Sequence, residues 1–434
     1  MNFPNAGVEI IEVPTNAELY RKKMAAAKTD AAAAYDAAVW ALKRGLLADF
    51  HRGVDRTLEL DPKHPAALSV KKLKAEIEKP LAESTREEAE LRALVKKEGM
   101  KIATSKHFIL LHDTPDKLPT VKGNAQPGRR VKRSTLRLEL LEQVYESFLM
   151  LFYAQDVTLD IPRERLKVVL FNDFSDFDTF SQQLSPELTS VAGYWDPVRN
   201  VSVFYDHGTD ENFKVLKELS DNLQKQAELA RRNPSPEGKN LLRFSNTLQL
   251  LVQIAQENAD IEVVSHEATH QLAGNTGLFP RHVRIPSWAH EGLATYFESP
   301  GESGWSGIGA VNEQRLEWYQ GLEPDRVHSN IDFIVGDQIF TFARTHGSKL
   351  HGYGQAWALT HFLLEKHLPK AVEFYRRLGE LPPDVVLDPE LLTTLFDQVF
   401  ATDHEALDRE WRLHMKGLMP DFERAKAEAK KLKE

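Results

Sequence analysis

The segment Ile261–His270 constrains this chain more than any other, because His266-Glu267-Ala268-Thr269-His270 falls inside an apolar run of helical period. Residues four apart on a helix lie one above the other, so His266 and His270 present two imidazoles to a single point. Glu267 sits one position round, beside that point and not on it. The chain contains no cysteine, which excludes disulfides and thiolate ligands and leaves only His, Asp and Glu to hold a metal. Taken alone, the pattern also fits two histidines on an ordinary polar helix face.

Two imidazoles can bind one zinc ion about 2.0–2.1 Å away, and such a site wants a third protein ligand and an open fourth position. Gln271 to His290 separate His270 from Glu291, which stands in Pro286-Ser287-Trp288-Ala289-His290-Glu291-Gly292-Leu293-Ala294-Thr295-Tyr296-Phe297-Glu298. Ser287 is expected to cap a second helix, placing Glu291 in its first turns. Gly274, Asn275, Gly277 and Pro280 end the first helix and let the chain reverse, so that two adjacent helices converge their ligands. His290, one position from Glu291, is expected to point about 100° away round the helix.

On these residues the stretch resembles the gluzincins, zinc peptidases that pair H-E-x-x-H with a downstream glutamate. It is most similar to their aminopeptidase branch, where H-E-x-x-H-Q-x-x-G-N precedes W-x-x-E-G-x-A-x-Y-x-E; Gln271, Gly274, Asn275, Trp288, Glu291, Gly292, Ala294, Tyr296 and Glu298 match. Residues 101–420 also resemble, in their order, an uncharacterised bacterial gluzincin-like family whose members often carry helical repeats in front. The resemblance implies one zinc ion per chain on His266, His270 and Glu291. Glu267 would then be the general base for water attacking a peptide bond.

It further implies that Tyr353, in a Tyr353-Gly354-Gln355-Ala356 segment similar to Y-x-K-G, donates to the oxyanion; a packing role is the alternative. Asn275 and Glu298 would orient the ligands from behind, unless Glu298 simply faces solvent. Val201, Val203 and Tyr205 would belong to the edge strand along which a peptide lies, unless that edge binds nothing. The aminopeptidases also carry a G-x-M-E-N segment for the substrate's amino terminus. Gly193-Tyr194-Trp195-Asp196 is the nearest stretch here and does not match, so an endopeptidase is favoured. A catalytically silent, metal-bearing scaffold is the alternative from a different class.

The resemblance implies an α+β fold, mostly helical, with a small mixed sheet packed on the H-E-x-x-H helix, thermolysin-like, behind an N-terminal helical region. Strands are predicted over 106–112, 166–171 and 200–206, and helices over 136–152, 174–184, 211–232 and 238–258. Residues 1–100 read as helices and a linker helix. Their Asp61-Pro62-Lys63-His64-Pro65 stop resembles the end of a tetratricopeptide repeat, giving either a hairpin on the main domain or a seat for a protein partner. By the resemblance, residues 101–420 are expected to form the peptidase domain, and 421–434 a charged tail that frays. Arg129–Arg133 reads as a solvated loop. A net charge of −9 argues against nucleic acid as a partner. No run approaches the roughly 20 apolar residues of a membrane span, and Met1–Pro14 lacks the pattern of a signal peptide, so the chain reads as soluble.

Overall fold

Phe108–His112, Leu166–Phe171 and Val201–Tyr205 are short runs rich in β-branched and aromatic residues, and they become the three inner strands of a five-stranded sheet. The computed structural model describes residues 13–116, 132–188, 191–232 and 235–298, with most of 300–427. Along the chain the strands are β1 (Lys101–Thr104), β2 (Phe108–His112), β3 (Leu166–Phe171), β4 (Tyr194–Asp196) and β5 (Val201–Tyr205), laid side by side as β1-β2-β3-β5-β4. β2, β3 and β5 are parallel, while β1 and β4 pair antiparallel at the two edges. Parallel neighbours need crossovers; helices Arg133–Tyr153 and Phe174–Leu184 lie in them. The architecture is α+β, mostly helical with a small mixed sheet.

The period of two along each strand assigns its side chains to opposite faces. Phe108, Leu110, Val168, Leu170 and Phe204 join the large core beneath Arg133–Tyr153. Ile109, Leu111, Val169, Phe171, Val201, Val203 and Tyr205 pack on the other side, with Leu91, Phe177 and Phe180. This corrects the expectation for Val201, Val203 and Tyr205. Their strand is flanked on both sides, by β3 and β4, and the three side chains are buried on the face that packs against Phe177 and Phe180. The sheet edge belongs to Tyr194–Asp196 instead.

Four helices, Asn16–Ala27, Ala31–Leu42, Leu47–Leu60 and Pro65–Ile77, open the described chain. Phe50 and Val54 from their apolar stripe are fully buried, and these helices share one core with Arg133–Tyr153. The Tyr35 hydroxyl donates to the Ala154 carbonyl at 2.8 Å, and His51 and Lys74 both reach Glu146 at 2.6 Å. Among the described residues no helix is long and apolar enough to cross a membrane. Residues 1–12, the Arg129–Val131 part of the basic loop and most of the 421–434 tail lie outside the described residues.

The helix predicted over 238–258 does not stop before the histidines. One 40-residue helix runs from Pro236 to Asn275, because no breaker interrupts Glu257-Asn258-Ala259-Asp260 and Ser235 caps its start. Asp260 fixes this helix just before the motif. Its carboxylate meets Arg137 at 3.0 Å, Arg133 at 3.4 Å and His207 at 2.7 Å in a buried cluster. Burial opposes ionisation there, but Arg137 and His207 hold the group well below the usual carboxylate range. Asp260→Ala would strand the buried Arg137 charge, so thermal and urea unfolding should show a loss of about 3–5 kcal/mol.

Candidate metal centre

Glu291 reaches the histidines because its helix, Ser287–Phe297, starts at a fixed point. Ser287 is the first helical residue and not the cap. Pro286 occupies the cap position with no side chain to offer, and Asp337, from 50 residues downstream, accepts the Ser287 and Trp288 backbone N–H groups at 2.9 Å each. A carboxylate at a helix N-terminus satisfies unpaired donors and complements the dipole. Gly292 then allows close packing: a Cβ there would stand 2.2 Å from Thr360 Oγ1 and 2.7 Å from the Ala356 carbonyl. The Leu350–Lys366 helix, which carries Tyr353, lies against this one as a result.

The three expected ligands converge. His266 Nε2 lies 3.2 Å from His270 Nε2 and 3.2 Å from Glu291 Oε2, with His270 Nε2 3.8 Å from Glu291 Oε1. One ligand atom from each falls within 4.8 Å of the others. Two imidazole nitrogens and a carboxylate all aim lone pairs inward. A proton on His266 satisfies one of these pairs; a divalent cation satisfies all three, so the donor set fits a zinc-type ion. Burial keeps His270 well below its usual pKa, in the neutral form a ligand needs, while Glu291 stays ionised against burial through His266 and His290.

Glu298 sits behind His266 as expected. Its Oε2 is 2.8 Å from His266 Nδ1, and its Oε1 accepts from Arg315 Nε at 2.7 Å and Asn312 Nδ2 at 3.1 Å. Burial works against ionisation, yet His266 and Arg315 lower this pKa and keep a carboxylate in place. A carboxylate only accepts, so it fixes a hydrogen on Nδ1 and aims Nε2 at His270 and Glu291. Glu298→Gln keeps the shape and removes the charge; competition with a chromophoric chelator should show metal affinity reduced about 10–100-fold.

Asn275 lies elsewhere. Its amide and that of Asn200 exchange two hydrogen bonds of 2.8 Å, and it also donates to the Gln271 carbonyl. It ties the end of the long helix to the β4–β5 turn, and Gln271 ties the same helix to β3 by donating to the Lys167 carbonyl at 3.0 Å. The contact expected with a ligand is not made, because the residue lies beyond His270, where the helix meets the sheet.

Glu267 is half-buried against the sheet edge. The Trp195 backbone N–H on β4 donates to it, and burial, supported by Glu291 and opposed by His266, pushes its carboxyl up to about 7. The Trp195 indole lies on the bare backbone of Gly274, where a Cβ would come within 2.5 Å of the ring. Tyr353 is half-buried near the same carboxylates. Burial, and after it Glu291, raise its pKa above the ordinary phenol range, so the hydroxyl keeps its hydrogen. Its ring packs edge-on to Phe340 with the Arg315 guanidinium 5.3 Å away.

Sequence reasoning missed four partners. Arg315 and Asn312 hold Glu298, and Trp195 contacts Glu267, all from segments with no spacing relation to the motif. His290 does not point away: its ring stacks on His270 with centroids 3.8 Å apart and planes 9° from parallel. One residue is about 100° round the helix from the next, but the adjacent helix brings His270 round to meet His290. Residues 260–384, which contain His266, His270, Glu291, Arg315 and Tyr353, match a family described as a protein of unknown function (DUF1570). Comparison with curated proteins and with solved structures gives no match.

Proposed function

We propose that this chain is a zinc-dependent metallopeptidase of gluzincin type, its catalytic region built on a thermolysin-like plan. The convergence of His266, His270 and Glu291, with Glu298 behind His266, carries the reading. A zinc ion held by those three residues would acidify water and polarise a carbonyl. Glu267 takes the proton from the attacking water and passes it to the leaving amine, a transfer suited to a carboxyl poised near neutrality. Tyr353 donates its hydroxyl hydrogen to the substrate oxygen as charge develops there.

The substrate strand is reassigned to β4. A peptide would add to its free edge beside Trp195, and main-chain hydrogen bonds would align it past Glu267. Asp196 is the acidic group of that strand, and its carboxylate is engaged by the Val198 and Arg199 backbone N–H groups and the Arg199 guanidinium. No charge on this strand is left to hold a substrate amino terminus, which favours internal cleavage. The experiment measures metal per chain without added zinc, then cleavage of a quenched-peptide library with and without chelator. Stoichiometric zinc with chelator-sensitive cleavage supports the reading; stoichiometric zinc with no cleavage supports the silent scaffold, and a metal-free, inactive chain refutes both.

A further inference from the structure

At the end of the sheet where β3 begins and the β4–β5 turn lies, a cavity of about 450 Å³ opens beside the Thr85–Val95 helix. Six of its lining residues are basic, Arg86, Arg163, Arg165, Lys167, Arg199 and Arg281, on a chain whose net charge is −9. Its three lining carboxylates are already engaged. Glu164 pairs with Arg86, Glu87 lies 3.6 Å from the same guanidinium, and Glu90 meets Lys167 at 2.6 Å. Asp196 holds Arg199 at 2.6 Å. Arg163, Arg165 and Arg281 make no ion pair among the described residues. Arg165 donates to the Ala82 and Ser105 carbonyls at 2.7 and 2.9 Å, and Arg281 to the Pro197 carbonyl at 3.3 Å. Arg163 is sensed by Glu76 at a distance, and both it and Arg281 are exposed. Neutral oxygens position a guanidinium without cancelling its charge. Six cations therefore stand against four carboxylates, and a concave site concentrates the field of that excess.

The cavity adjoins the strand proposed to hold substrate. The Trp195 indole N–H donates to Asn200 at 3.3 Å, and Asn200 and Asn275 both line the cavity. Arg281 and the Trp195 ring share the bare backbone of Gly274, where an added Cβ would stand 3.0 Å from Arg281 Cγ. Asn275 lies eight residues along the helix from Glu267, or about 12 Å. An extended peptide covers that distance in about three to four residues. We propose that this cavity makes the site specific for acidic peptides. With a peptide laid along β4, it takes the carboxylate of an Asp or Glu about three to four residues from the bond to be cut, on the side toward Asp196. The register rests on the peptidase reading; the charge complementarity does not. Planar guanidiniums match a carboxylate with paired hydrogen bonds. A lysine at that position would meet like charge.

The test uses the full chain and labelled decapeptides of alanine, leucine and glutamine, with one aspartate, asparagine or lysine walked through every position. In the zinc-loaded parent, aspartate should exceed asparagine by about tenfold in kcat/KM three or four residues from the cut, on one side only, with lysine below both. Raising the salt from about 0.05 to about 1 M should shrink that preference; this arm needs the parent alone and decides the matter if a variant fails to fold. Arg163→Glu/Arg281→Glu should turn the preference to lysine. Arg409→Glu, exposed on the His404–Lys416 helix, should leave it as in the parent. Fluorescence anisotropy with the Glu267→Gln chain reads the same preference as binding, without cleavage: about tenfold for aspartate over asparagine, lost when both arginines are reversed. A parent that cuts no peptide while this binding preference stands removes the peptidase reading and keeps the acidic-peptide site. Equal binding of aspartate and asparagine peptides, a preference next to the cut, or one that survives salt or the double reversal would overturn the proposal. So would inorganic phosphate binding at these arginines with all three peptides bound alike, since the cavity would then serve a free anion.

Discussion

Glu267→Gln should bind zinc as fully as the parent chain and lose hydrolysis by about 10²–10⁴-fold in kcat, the range for removal of a positioned acid–base group. The side chain is not among the converging ligands, so metal stoichiometry by mass spectrometry should not move. Glutamine preserves the volume and can still accept the Trp195 N–H, and the edge strand should keep its place. What disappears is the proton acceptor. A variant that cleaves the peptide library at the parental rate would remove Glu267 from the chemistry, whatever the metal content proved to be.

His266→Ala should have the larger structural effect, because it deletes a ligand and empties the link between Glu291 and Glu298 at once. With His270 and Glu291 alone the metal has too few protein ligands, and purified protein should carry none, with no detectable cleavage. The variant also leaves Glu298 buried with Arg315 and Asn312 as its remaining partners. Retention of stoichiometric zinc in His266→Ala, measured after dialysis against a weak chelator, would show that the ion sits elsewhere.

The convergence of His266, His270 and Glu291 was legible because an i, i+4 pair and a following helix are local facts, fixed by the period of one turn. Glu298 entered through the resemblance alone; at the C-cap of the Glu291 helix, about two turns on, it lies on the same side as Glu291. Residues brought in by other segments were not legible. Arg315, Asn312, Trp195 and Asp337 reach the site through tertiary packing, which leaves no periodic trace. The strands at 108–112, 166–171 and 201–205 announced themselves by composition, but their lateral order did not. β5 follows β4 in the chain and lies inside it in the sheet, so the edge that the resemblance implies for β5 falls on β4. The three-residue β4 was too short to compete with it as a strand. The long helix was split in expectation because its first half faces solvent and its second the core, and the change of pattern looked like an end.

That unbroken helix has a mechanical meaning. Forty residues extend about 60 Å, and the buried clamp at Asp260 falls six residues before His266. The exposed portion is therefore a long lever, the clamp its fulcrum, and His266 and His270 ride on the short end. Any load applied near Phe244 reaches the imidazoles with its displacement scaled down but not lost, because an intact hydrogen-bonded rod has no joint in which to absorb it.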